Sequence, residues 1–147
     1  MPGGYPELHA GRLAAAERCL SGLRDVAAAG AAIYGECGGY MLLGESLTDA
    51  DGATHRMAGL LPLATSFANP RLHLGYRTAR LLADTPLGHR GARFRGHEFH
   101  HATTVRAGDA EPIFALADSC GADLGPGGLR RGSVFGSFIH LIDREDI

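Results

Sequence analysis

Tyr34-Gly35-Glu36-Cys37-Gly38-Gly39-Tyr40 sets one cysteine among glycines, with the apolar run Ala31-Ala32-Ile33-Tyr34 before it and Tyr40-Met41-Leu42-Leu43-Gly44-Glu45-Ser46-Leu47 after it. Apolar strand, glycine-flanked nucleophile and helix form the layout of a nucleophile elbow, here with cysteine in the place of serine. A sharp strand-to-helix turn leaves no room for side chains beside the nucleophile, and it calls for glycine wherever φ turns positive. The helix start then aims backbone N–H groups and the positive end of its dipole at the sulfur, which favours thiolate. A small core cysteine that happens to sit in a turn needs none of this. Cys37 therefore reads as a nucleophile.

The chain has 147 residues, enough for one domain with its own core. A formal charge of −2 gives no electrostatic case for nucleic acid or an anionic membrane. No apolar run approaches the ~20 residues of a membrane span, and no basic-then-apolar leader opens the chain. Cys19, Cys37 and Cys120 are widely and irregularly spaced. They match neither a disulfide framework nor a zinc site, and they fit a reducing cytoplasm. All 14 basic residues are arginine, which excludes a lysine-bearing Walker A phosphate loop.

Around the elbow the pattern predicts an α/β fold. Leu13, Ala16, Leu20, Leu23 and Ala27 recur at helical spacing, so one helix is expected from Leu8 to about Ala29, stopped by Gly30, with Cys19 a small core residue. Thr48-Asp49-Ala50-Asp51-Gly52 reads as a polar turn. Strands are expected at 57–63, 72–82, 94–105, 112–117 and 134–142. Parallel strands would put the site at their carboxyl ends, where Cys37 falls.

A cysteine nucleophile needs a base, and the chain offers 8 histidines. His140 follows the apolar strand Val134-Phe135-Gly136-Ser137-Phe138-Ile139, which would deliver it to a fixed place. The rival is Gly96-His97-Glu98-Phe99-His100-His101. In a strand Glu98 and His100 face one side and His97 and His101 the other, which splits any metal-ligand set. The His-Glu-x-x-His spacing from His97 to His101 would need a helix, and Thr103-Thr104-Val105 favour a strand. The block is expected to line the cleft without a metal, and His9, His55, His73 and His89 are expected in solvent.

Six ordered blocks carry a resemblance: Pro2-Gly3-Gly4-Tyr5-Pro6-Glu7-Leu8-His9, Gly35-Glu36-Cys37-Gly38-Gly39-Tyr40-Met41, Met57-Ala58-Gly59-Leu60-Leu61-Pro62, Leu74-Gly75-Tyr76-Arg77, Arg95-Gly96-His97-Glu98-Phe99-His100 and Gly136-Ser137-Phe138-Ile139-His140. Together they resemble the C-terminal glutamine amidotransferase domain of cobyrinic acid a,c-diamide synthases, most of all the hydrogenobyrinic acid form. The Arg95–His100 block argues against a glutaminase serving another acceptor, such as cobyric acid synthase or a cell-wall amidating enzyme.

The resemblance implies a class I, flavodoxin-like α/β sandwich that would lack its first strand-helix-strand unit and leave an open sheet edge. It makes residues 1–147 an N-terminally truncated amidotransferase domain without its ATP-binding synthetase domain. It implies Cys37 as nucleophile toward L-glutamine and His140 as its acid/base partner. Gly38 and Gly4 would supply the backbone N–H groups for the oxyanion. Tyr5 and Glu98 would support the site or touch glutamine, and Glu98 could also orient His140, because Ile142 stands where many class I glutaminases carry a carboxylate. ATP and Mg2+ would serve the synthetase domain, which would hold most of the corrinoid substrate. A homodimer is compatible with the family, and a non-catalytic remnant is the alternative reading.

Overall fold

The computed structural model describes residues 1–145. A 3-10 turn, Pro6–Leu8, leads into α1 (Ala10–Ala15) and α2 (Glu17–Ala28). The single helix expected here breaks at Ala16, whose ψ of 56° leaves the helical region. The break lets the two segments serve two cores. Leu13 and Ala14 pack beside Cys37, Met41 and Phe67. Leu23 and Ala27 pack beside Ile33, Tyr40 and Leu43. Cys19 is exposed rather than in the core, because α2 turns Leu20 inward instead. Gly30, at φ 82°, ends α2 as the sequence predicts.

β1 (Ile33–Glu36) runs through Cys37 into α3 (Gly38–Leu43). The helix expected to reach Leu47 stops four residues earlier, and β2 (Ser46–Thr48) takes the remainder. The stretch 57–63, expected as a strand, is strand only at its last residue, where β4 (Leu63–Ser66) begins after β3 (Thr54–Arg56). Its N–H groups do other work. Those of Ala58, Leu60 and Leu61 donate to the carbonyls of Leu42 and Leu43 at 2.9–3.0 Å, closing the end of α3.

β5 (His73–Leu81), β6 (Arg93–His100), β7 (Thr103–Ala107), β8 (Phe114–Asp118), β9 (Asp123–Gly127), β10 (Leu129–Arg131), β11 (Val134–Ser137) and β12 (Ile139–Glu145) complete the chain. They assemble with the earlier strands into three sheets, ordered β1-β11-β10, β12-β6-β5-β8-β9 and β3-β2-β4-β7. Among the described residues only the pairs β1·β11 and β2·β4 are parallel, so the α/β expectation holds with a small parallel part. Two runs expected as single strands each divide between sheets. Residues 94–105 break at His101-Ala102, and 134–142 break at Phe138. Cys37 follows the carboxyl end of β1, as expected. The free edge of β1, expected to lie open, is met by Met1. Its amino group donates to Tyr34 O at 2.7 Å, and its carbonyl accepts from Glu36 N–H at 3.0 Å.

Two glycine substitutions separate close packing from helix propensity. A Cβ on Gly35 would lie 2.8 Å from the Gly39 carbonyl carbon and oxygen, whereas one on Gly22, inside α2, meets nothing within 4 Å. Gly35→Ala is expected to destabilise by about 2 kcal/mol through overpacking. Gly22→Ala is expected to stabilise by about 1 kcal/mol. Urea-unfolding midpoints check both, and movement in the same direction contradicts the packing described.

Candidate active site

Among the described residues Cys37 alone combines a positive φ with a side chain: φ is 47° and ψ −104°. Such backbone costs about 1–3 kcal/mol and persists only where its surroundings impose it. Cys37 N–H donates to Ser137 O at 2.9 Å, and Cys37 O accepts from Met41 N–H at 3.0 Å. The neighbouring glycines are therefore not the residues that turn positive. They permit contact instead. A Cβ on Gly39 would lie 2.5 Å from Met1 O, and one on Gly38 3.0 Å from Gly4 N.

These contacts bring the Gly3-Gly4-Tyr5 loop against the elbow. Gly3 wedges between the two residues expected to react, for a Cβ there would fall 2.6 Å from His140 Cε1 and 3.6 Å from Cys37 Cβ. A cavity of about 150 Å³ opens beside them, lined by Gly4, Tyr5, Glu7, Cys37, His100 and His140, with Phe99 and His101 at its wall. Cys37, His140, Gly4 and Tyr5 thus converge as the sequence predicts, and Gly38 adjoins Gly4.

Electrostatics sharpen the picture. Burial pushes the Cys37 thiol above its ordinary value, against a weaker pull from the Gly38 N–H, and the carboxylates of Glu7, Glu36 and Glu98 push it the same way. The S–H points to Phe99 O at 3.8 Å. The resting sulfur is a thiol, not the thiolate expected from the helix start: six residues of α3 do not offset desolvation. Burial also lowers His140, His97 and His100 add to this, and Glu36 opposes it. His140 is accordingly a neutral imidazole near neutral pH, able to accept the thiol proton.

Glu98 does not orient His140. Its Oε1 lies 2.8 Å from His100 Nε2, and its Oε2 accepts from Arg77 Nε at 2.9 Å. The His100 bond, then Arg77, hold its carboxyl below the usual range. His100 Nδ1 lies 3.0 Å from Ala102 O, so both ring nitrogens face acceptors. His140 is oriented by other groups. It sits opposite His97 across β12·β6, and the two rings stack at 4.8 Å. Glu36, whose Oε1 accepts from Leu141 N–H at 3.2 Å, is the carboxylate that acts on it. Glu36 and His97 were both legible as polar residues inside their motifs, but no spacing tied either to His140.

Two histidines expected in solvent are engaged. His55 Nε2 lies 2.7 Å from Asp49 Oδ2, and His73 stacks on His100 with centroids 4.5 Å apart. Donor atoms of His73, Glu98 and His100 come within 4.8 Å of one another. The set fits a metal poorly. The two rings are parallel to within 8°, so their lone pairs run side by side rather than converging, and Arg77 holds the second carboxylate oxygen.

The state of the sulfur is testable. Alkylation of Cys37 by iodoacetamide, followed on the peptide spanning residues 25–56, should rise through an alkaline midpoint above 9.0, the ordinary value. A plateau of reactivity near neutral pH would contradict a resting thiol–imidazole pair.

Residues 1–146 match the CobB/CobQ-like glutamine amidotransferase domain. Hydrogenobyrinate a,c-diamide synthase of Mesorhizobium japonicum is 58% identical over 144 residues, covering 98% of this chain and 33% of the relative. The protein of the same name from Brucella anthropi is 56% identical, covering 97% and 32%. The chain thus spans about a third of the length of these relatives. A crystal structure of glutamine amidotransferase superposes with a TM-score of 0.58 at 21% identity, over 95% of this chain and 67% of that one, a likeness of fold.

Proposed function

This chain belongs to the CobB/CobQ-like glutamine amidotransferase domain family, and on that premise we propose that it is the glutamine-hydrolysing part of a corrinoid a,c-diamide synthase. The observation that carries the reading is Cys37, held in strained backbone at a strand–helix junction, sharing one small cavity with His140 and Gly4.

In this reading the glutamine side-chain amide enters beside Cys37. His140 takes the thiol proton as Sγ attacks the amide carbon, so charge separates only when substrate is in place. The oxyanion is met by the N–H groups of Gly38 and Gly4, whose backbones adjoin. His140 then gives its proton to the departing nitrogen as the C–N bond breaks, releasing ammonia and leaving a γ-glutamyl thioester. Water adds to that thioester, losing its proton to His140, and glutamate leaves as the thiol reforms. His97 stacking keeps the imidazole in line through both halves, and the Arg77–Glu98–His100 array stiffens β6 behind the cavity wall.

The ammonia would amidate the a and c carboxylates of hydrogenobyrinic or cobyrinic acid. ATP and Mg2+ would activate those carboxylates in the part of the relatives that lies outside the matched third. Cobalamin biosynthesis is the setting that the relatives' name carries. Among the described residues no helix is long and apolar enough to cross a membrane.

In the enzyme assembled with its amide-forming part, Cys37→Ala should lose glutamine-dependent amidation by a factor of at least about 1000, as expected on removing a covalent nucleophile. Amidation from free ammonium ion should be retained. A variant that uses glutamine as well as the parent does would remove Cys37 from the role of nucleophile.

A further inference from the structure

Glu7 supplies the one carboxylate among the residues that line the Cys37 cavity. It sits in the 3-10 turn Pro6–Leu8, directly after the loop that lays Gly4 against Gly38. The turn is fixed: Pro6 is buried, and a Cβ on Gly38 would lie 3.2 Å from Pro6 Cδ. Glu7 is half-buried, and among the described residues it has neither a hydrogen bond to its side chain nor an ion pair. The other long-range carboxylates near the sulfur are engaged. Glu36 accepts from Tyr34 and Leu141, and Glu98 is held by Arg77 and His100. A half-buried carboxylate facing a small cavity without a counter-charge calls for a cationic ligand group.

We propose that Glu7 forms the subsite for the α-ammonium of the amino-acid substrate, placing the far end of the ligand while its side-chain amide reaches Cys37. The proposal rests on the glutaminase reading and adds to it the means of recognition. Glutamine carries one cation, its α-ammonium, and the rest of the cavity wall suits the remainder of the molecule: Met41, Phe67 and Phe99 for its methylenes, and the imidazole of His101 for its carboxylate. One short segment, Gly3-Gly4-Tyr5-Pro6-Glu7, then provides both backbone beside the reacting carbon and the charge that fixes the opposite end. The same geometry links binding to reactivity. Glu7 is one of the carboxylates that hold the Cys37 thiol up, and a bound ammonium cancels that charge as the substrate arrives.

The test uses three alkylating probes on this chain and on its Glu7→Gln variant, with attachment read by mass on the peptide covering residues 25–56. The diazoketone 6-diazo-5-oxo-L-norleucine carries the α-ammonium and α-carboxylate of glutamine. Its diazo carbon takes a proton and loses dinitrogen as the Cys37 sulfur bonds to it. 6-Diazo-5-oxohexanoate lacks only the ammonium, and iodoacetamide reports the reactivity of the thiol itself, by which the other two rates are divided. In Glu7→Gln the normalised rate for the norleucine probe should fall about 30-fold, equivalent to about 2 kcal/mol at about 1.4 kcal/mol per tenfold. The normalised rate for the hexanoate should not fall, and Glu7→Asp should recover part of the norleucine rate. Equal losses for both diazoketones overturn the subsite and leave the glutaminase reading intact. A parent chain that iodoacetamide labels, but that reacts with the norleucine probe no faster than with the hexanoate, also overturns the subsite. If neither diazoketone outpaces iodoacetamide at Cys37, the glutaminase reading fails and takes the subsite with it.

Discussion

The backbone of Cys37 cannot relax without dismantling its surroundings, and the site depends on that constraint. At φ 47° and ψ −104° the residue links β1 to α3 in a conformation a side-chain-bearing residue avoids. Three contacts hold it there: the N–H on Ser137 O, the carbonyl under Met41 N–H, and α3 lying so close to β1 that Gly35 has no room for a Cβ. Strain confined to one residue in this way puts the sulfur at the surface of a cavity although the residue is only 5% exposed. The cost of the geometry is spread over packing that the two helices and the β1·β11 pair supply.

The second organising feature is the seam between sheets. Phe138 interrupts the run from Val134, so β11 lies beside β1 while β12 lies beside β6. One short segment thereby carries Ser137, which holds Cys37 by its carbonyl, and His140, which faces the same cavity. Phe138 closes the seam with its ring 3.8 Å from that of His100 and edge-on to Tyr40 at 5.2 Å. His100, clasped between Phe138 and His73, ties the elbow side of the cavity to the five-stranded sheet. The neutral thiol–imidazole pair follows from this dryness, since desolvation disfavours both charged forms.

Much of this was legible in the sequence because local chemistry wrote it there. The glycines around Cys37 announced a tight strand–helix junction, Gly30 announced the end of α2, and the alternation in 97–101 placed Glu98 and His100 on one face. What was hidden depends on partners distant along the chain. No periodicity could show that Ala16 breaks a helix to serve two cores, or that 57–63 spends its N–H groups on the end of α3. β9 and β10 went unread because Gly125, Gly127 and Gly128 look like loop, although Gly127 makes room for Leu116 on the neighbouring strand. The helix start at Cys37 is visible in sequence, whereas the burial that pushes its thiol up is not. His97, Glu36 and Glu7 sat in recognisable motifs, yet only the fold gives them their work around His140 and the cavity.

The central claim is that Cys37 carries a γ-glutamyl group during turnover. Rapid acid quenching of the protein with glutamine, followed by mass analysis of the peptide covering residues 25–56, tests it directly, because Cys37 is the only cysteine in that span. The expected peptide is heavier by one glutamyl group, removed by hydroxylamine as a thioester would be. Steady release of glutamate with that peptide unmodified at every quench time would contradict it.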